Sequence, residues 1–226
     1  MKRSEINRHI EEAKAFFAEH QFRLPAFAHW TPEQWRDMGH EADEIRDCML
    51  GWDVTSFGSD DFLSRGVLLF TLRNGRLGDS RYPKVYAEKI MVVREGQETP
   101  WHFHHHKAED IINRGGGNLE CTLRNADERD GFSDEPVRVC CDGVIRTVPA
   151  GGTVVRHPGE SITLTQRLYH TFRAEPGRGT CLIGEVSMVN DDTNDNRFHE
   201  PLPRFPAIEE DEPPLHLLCG EYPPAR

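Results

Sequence analysis

A chain of 226 residues accommodates one large domain with a terminal extension, and its formal net charge of -11, with no cluster of Lys and Arg, argues against a nucleic-acid or anionic-membrane partner. The longest apolar stretch is about seven residues, Gly66 to Leu72, far short of the ~20 that a membrane helix needs. The first residues, MKRSEINRHIEEAK, lack an apolar signal core, so the expected location is the cytoplasm, with Cys48, Cys121, Cys140, Cys141, Cys181 and Cys219 as reduced structural thiols.

In chain order, Ser4 is positioned to cap a helix in which Ile6, Ile10, Ala13, Phe16 and Phe17 recur at helical spacing, opposite a Glu and Lys face. Thr31-Pro32-Glu33-Gln34 combines a capping Thr, a Pro at the first helical position and a Gln at the capping-box position, which predicts a second short helix. Residues 1–50 therefore read as a helical extension, and residues 51–226 as a β domain on which it packs, one domain overall. Val67 to Arg73 reads as a strand ending at the Asn74-Gly75 turn, and Val85 to Val93 as the next. Further strands are expected at Asn118 to Arg124, Pro136 to Cys141, Val144 to Val148, Thr153 to His157, Ser161 to Leu164, His170 to Ala174 and Cys181 to Val189. Turns at Asp142-Gly143, Ala150-Gly152, Pro158-Gly159 and Pro176-Gly177 separate them, so the pattern is that of an all-β antiparallel sandwich or small barrel. After Asp191 a Pro-, Asp- and Glu-rich tail is expected to wrap the barrel as ordered loop, with Asp191, Asp192 and Asp195 making turns and caps.

The segment from Gly96 to Gly116 carries the chemistry. His102 and His104 alternate along a strand and so project to one face, and a following turn can bring Glu109 beside them. Two imidazoles and a carboxylate suit Mn, Fe, Co, Ni or Zn better than Ca or Mg. His105 faces the other way, whereas His106 shares the face and could replace one of the pair. The gaps run Gly96, five residues, His102, one, His104, four, Glu109, six, Gly116, and this resembles the first signature motif of the cupin superfamily. Gly152, five residues, Pro158-Gly159 and then His170 is similar to the second motif, although about ten residues separate the turn from His170, and His157 is the competing candidate. The resemblance implies a cupin β-barrel of jelly-roll type and a metal on His102, His104, Glu109 and His170. Such a shell commonly leaves two adjacent positions open to a ligand with neighbouring oxygens.

The strings EDIINRGGGNLECTL from Glu109, GEVSMVNDDTNDNRFHE from Gly184 and PRFPAIEEDEPP from Pro203 resemble the D-lyxose isomerases over nearly the whole chain. That resemblance implies a homodimeric ketol-isomerase preferring Mn2+, with Co2+, Ni2+, Fe2+ or Zn2+ also able to fill the site, that interconverts D-lyxose and D-xylulose and also D-mannose and D-fructose. Proton transfer would run through a cis-enediol with O1 and O2 at the metal. Glu200 and Lys89 are the expected catalytic groups, and Lys89, Glu185 and Arg204 the expected substrate contacts. Lys89 and Glu185 are charges set in apolar strands, and Glu200 and Arg204 lie in a segment able to fold over the barrel mouth. Two alternatives fit the same metal shell, a non-haem Fe(II) dioxygenase and a non-catalytic sugar-binding cupin; no basic helix-turn-helix of a regulator is present.

Overall fold

A computed structural model of the chain describes residues 1–205 and 207–225; Pro206, inside the last of the strings above, falls outside them. The helices α1 (Arg3–Glu19), α2 (Pro32–Asp37) and α3 (Asp43–Asp47) come first. The strands follow: β1 (Gly51–Thr55), β2 (Val67–Arg73), β3 (Tyr86–Val93), β4 (His102–His104), β5 (Glu109–Gly116), β6 (Leu119–Asn125), β7 (Val137–Cys141), β8 (Val144–Val148), β9 (Gly152–Arg156), β10 (Ser161–Leu164), β11 (Leu168–Ala174), β12 (Cys181–Met188) and β13 (Asn196–Phe198). They form two antiparallel sheets among the described residues, one ordered β1-β2-β3-β12-β5-β10-β7-β8 and the other β13-β4-β11-β6-β9. The two inner faces enclose a core of Ile111, Leu119, Cys121, Ile162 and Ile183, the jelly-roll arrangement expected of a cupin.

Strand β2 shows why its sequence is apolar without alternation. Val67 and Leu69 point into the barrel, while Leu68 and Phe70 point outward beneath α1, where they meet Ile6, Ile10, Ala13 and Phe17. Both faces of the strand are thus buried, and each of Ile6, Ile10 and Phe17 contributes about 1.5–3 kcal/mol of transfer free energy. The start of α1 differs from expectation. Lys2 holds the N-cap position, and Ser4 lies one residue inside the helix, where its hydroxyl donates to Asp211 of the tail. The carboxylate of Glu5 accepts from the Lys2 backbone instead. The Thr31 box forms as read, with Gln34 N–H donating to the Thr31 hydroxyl and Thr31 N–H to the Gln34 side chain.

The tail runs back along α1 as loop. Met1 donates to the Ala207 carbonyl, Arg3 pairs with Glu210 and Glu221, and Asn7 donates to Glu212. On the way it crosses one end of the barrel, and β13 adds to the sheet edge beside β4. No helix among the described residues is long and apolar enough to cross a membrane.

Candidate metal centre and catalytic cavity

Strand β4 is three residues long, and its alternation turns His102 and His104 inward while Phe103 packs outward against Tyr169. Strand β11 lies beside it in a register that places His170 directly opposite His102, their rings 4.2 Å apart. One ligand atom from each of His102, His104 and His170 falls within 4.8 Å of the other two. The Nδ1 of His102 faces the Pro100 carbonyl at 2.8 Å and that of His170 the Leu168 carbonyl at 2.9 Å. A carbonyl only accepts, so both Nδ1 atoms carry the hydrogen and both Nε2 atoms present a lone pair to the interior. Burial, reinforced by the neighbouring imidazoles at His102 and by Lys107 at His104, holds these two imidazoles below their ordinary pKa, in the neutral form a metal requires.

Glu109 opens β5 on the opposite sheet. Its Oε2 stands 3.4 Å from His104 Nε2, and its Oε1 lies 3.3 Å from His170 Nε2 without the alignment of a hydrogen bond. His170 Nε2 and His104 Nδ1 are buried nitrogens with no hydrogen-bond partner. Two acceptors at 3.3 Å repel unless a cation lies between them, and metal bonds of about 2.0–2.2 Å put adjacent donor atoms about 3 Å apart. The residues present therefore fit a divalent ion held by three imidazoles and a carboxylate.

Beside this group lies a ladder of buried charge. Lys107 Nζ contacts Glu109 at 2.7 Å and Glu185 at 2.9 Å, and Lys89 Nζ contacts Glu185 at 3.2 Å. Both lysines also donate to the side-chain carbonyl of Asn190. Burial pushes the Glu109 carboxyl up, but the Lys107 ammonium and the His104 imidazole outweigh it and hold it well below the usual carboxylate range. Burial likewise pulls Lys107 down, and the two glutamates more than reverse this, so its ammonium titrates above the ordinary lysine value. Asp195 accepts from the backbone N–H of both His106 and Lys107 and so fixes the turn that presents Lys107.

Of the residues singled out from sequence, His102, His104, Glu109, Lys89, Glu185 and Arg204 line one cavity of about 60 Å3, with His170 paired to His102 at its edge. Glu200 does not join them. Its side chain is 69 % exposed and faces Arg65 outside the barrel, because the tail crosses the mouth with Phe198 and Arg204 turned inward and Glu200 turned to solvent. His106 is exposed, and His157 sits outside on Asn118, so neither approaches the three imidazoles. Asp191 makes the expected turn, but Asp192 is drawn inward to pair with Arg204, and that cation overcomes the cost of burial to keep its carboxyl far below the ordinary range. Lys107 was missed on sequence; the available signal was a charge two residues before Glu109.

Comparison with known proteins follows the same line. A family model described as D-lyxose isomerase matches residues 1–222. A D-lyxose/D-mannose isomerase of Serratia proteamaculans is 54% identical over 223 residues, 98% of each chain, and one of Escherichia coli O157:H7 is 50% identical over the same span. Among solved structures, an L-ribose isomerase of Cellulomonas parahominis with L-ribose superposes with a TM-score of 0.57 at 17% identity, covering 92% of this chain and 98% of that one. At that identity the likeness speaks for the fold.

Proposed function

The chain belongs to the D-lyxose isomerase family, and from that premise we propose that it is a metal-dependent aldose–ketose isomerase acting on D-lyxose and D-mannose, with Glu185 as the proton-transfer group. The observation that carries the reading is the convergence of His102, His104 and His170, with Glu109 against the last two, on one side of the cavity and of Glu185 and two lysines on the other. Manganese is the expected ion, with Co2+, Ni2+, Fe2+ or Zn2+ as ions of the same ligand preference. A divalent ion held by those four residues would supply positive charge opposite O1 and O2 of an aldose, where negative charge accumulates as C2 loses its proton.

The protein's own residues supply the rest. Glu185 takes the C2 proton and returns it to C1 on the same face, while the hydroxyl proton leaves O2 and is delivered to O1, so the proton count closes and aldose becomes ketose. Lys89 and Lys107 stand on either side of Glu185, where they orient its carboxylate and offer N–H donors to the sugar hydroxyls during transfer. Thr99, Phe57 and Phe172 give the cavity a partly apolar wall that limits water around the reacting carbons. Among the described residues lining the cavity, every lysine and arginine already faces a carboxylate, which suits an uncharged sugar. Six free cysteines agree with the cytoplasm as its place of work. A homodimer belongs to the same reading; Tyr86, Val186 and Met188 are exposed on the sheet face that α1 leaves uncovered and are its candidate surface.

The test is turnover of D-lyxose and D-mannose in deuterated water by protein stripped with a chelator and reloaded with Mn2+. Deuterium is expected at C1 of the ketose, Glu185→Gln is expected to lose about 10²–10⁴ in kcat, and Glu200→Gln to stay within about threefold of the parent. Absence of turnover with both sugars, or full activity in Glu185→Gln, overturns the proposal.

A further inference from the structure

The cavity at the histidines is about 60 Å3, whereas sites for small molecules start at roughly 300 Å3. Next to it is a second chamber of about 430 Å3, and Asp192 lines both. The two adjoin along the inner face of the large sheet. On β2, Val67 and Leu69 line the cavity and Thr71 lines the chamber, and as alternate residues all three face the same way. Thr71 in turn pairs with Lys89 of β3, a cavity residue.

What divides the space is the side chain of Arg204, brought in by the tail. Its Nη2 donates to Asp53, on the chamber side, and to Asp192 at 3.0 Å, while its Nη1 is buried with no partner among the described residues. A donor left unmatched inside a polar boundary is costly in the free protein and is available to an incoming acceptor.

We propose that this chamber is the distal half of the sugar site. The C1–C2 end lies at the three histidines, and the carbons beyond C3 pass Arg204 into the chamber. At the boundary Arg204 Nη1 donates to a sugar hydroxyl oxygen, and in the chamber the carboxylates of Asp53 and Asp192 accept from sugar hydroxyls. The inference rests on the isomerase reading and extends it to the residues that measure chain length.

Thr193 and Leu77 are exposed residues on the chamber rim. Thr193→Trp and Leu77→Trp each narrow it without removing a buried hydrogen bond. The experiment measures kcat/KM of the Mn2+-loaded parent and both variants with an aldotetrose, an aldopentose and an aldohexose of the same configuration at C2 and C3. The loss in the variants is expected to rise with length and to be at least about tenfold greater for the hexose than for the tetrose. Turnover with an equal loss at every length, or with no loss in either variant, overturns the chamber proposal and leaves the isomerase reading standing. No turnover of any aldose by the parent overturns both.

Discussion

Lys107 joins Glu109 beside the histidines to Glu185 across the cavity, and its removal is the sharpest test of that coupling. In Lys107→Met the stem remains and the ammonium goes. Glu109 then loses its 2.7 Å partner and retains only the imidazoles of His104 and His170, at 3.4 and 3.3 Å. Glu185 loses a contact of 2.9 Å and retains Lys89 at 3.2 Å. Glu109 is 4 % exposed, so one carboxylate is left buried with little compensation. Breaking a buried pair from one side costs about 3–5 kcal/mol, a large share of the ~5–15 kcal/mol that holds a domain together. At roughly 2–4 °C per kcal/mol for a chain of this size, the melting temperature should fall by roughly 6–20 °C. The assay is urea denaturation of chelator-treated protein, which keeps metal binding out of the comparison. Adding Glu109→Gln to Lys107→Met removes the stranded charge, so the double variant should be the more stable of the two by a few kcal/mol. A loss below about 1 kcal/mol in the single variant, or no recovery in the double, refutes the reasoning.

Acid should destabilise the metal-free protein early. His9, His102, His104 and His216 are held below the ordinary imidazole pKa, with burial the largest cause in each. The unfolded chain takes up these protons near pH ~6.5 and the native state only at lower pH, so stability is full above about pH 7.5 and declines as pH falls through about 6. His9→Phe, which keeps a ring against Phe62, should flatten the slope of unfolding free energy between pH 7.5 and 5.5, and an unchanged slope counts against this account. Aldose phosphates should be neither substrates nor competitive inhibitors at millimolar concentration, since Lys89, Lys107, Arg204 and Arg76 each already face a carboxylate; inhibition constants in the micromolar range would contradict that.

The histidine side of the cavity was legible because its spacing is local. His102, His104 and Glu109 lie within eight positions of one another; strand alternation puts the two histidines on one face, and the short link to β5 brings Glu109 to face them from the opposite sheet. Most strands were readable for the same reason, and Val144–Val148 and Ser161–Leu164 match at both ends. Strand β1, with Trp and Asp between Gly51 and Thr55, gave no alternating signal, since all five of its residues are buried. The acid–base side depends on long-range pairing and was legible only in part. Lys89 and Glu185 stood out as charges in apolar strands, but nothing local says that they meet across β3 and β12 or that Lys107 reaches both glutamates. Glu200 was expected over the mouth and lies beside Arg65 instead, because a tail without periodicity does not declare which of its side chains turn inward.

The pairing itself hangs on a detail of β5. Glu185 sits opposite Lys89 on one side and Ile111 on the other, and Ile111 is two residues from Glu109, so all four share the inward face. Further along, Leu182 pairs with Gly115 while Ile183 pairs with Asn113, which leaves Arg114 as an extra residue on β5. The bulge is built from Gly115 and Gly116 at φ values of +156° and +79°, and from the Asn113 side chain, which accepts from Gly115 N–H. A Cβ on Gly116 would fall 2.2 Å from the Thr180 carbonyl oxygen, so a side chain there would press on the strand that leads into β12. Were Arg114 taken into the ladder instead, the β5–β12 pairing would slip by one and Glu185 would stand opposite Ile112, off the inward face that Glu109 and Ile111 share. The glycine that closes the Gly96–Gly116 motif therefore acts on the far side of the cavity, by holding in register a strand that carries no part of that motif.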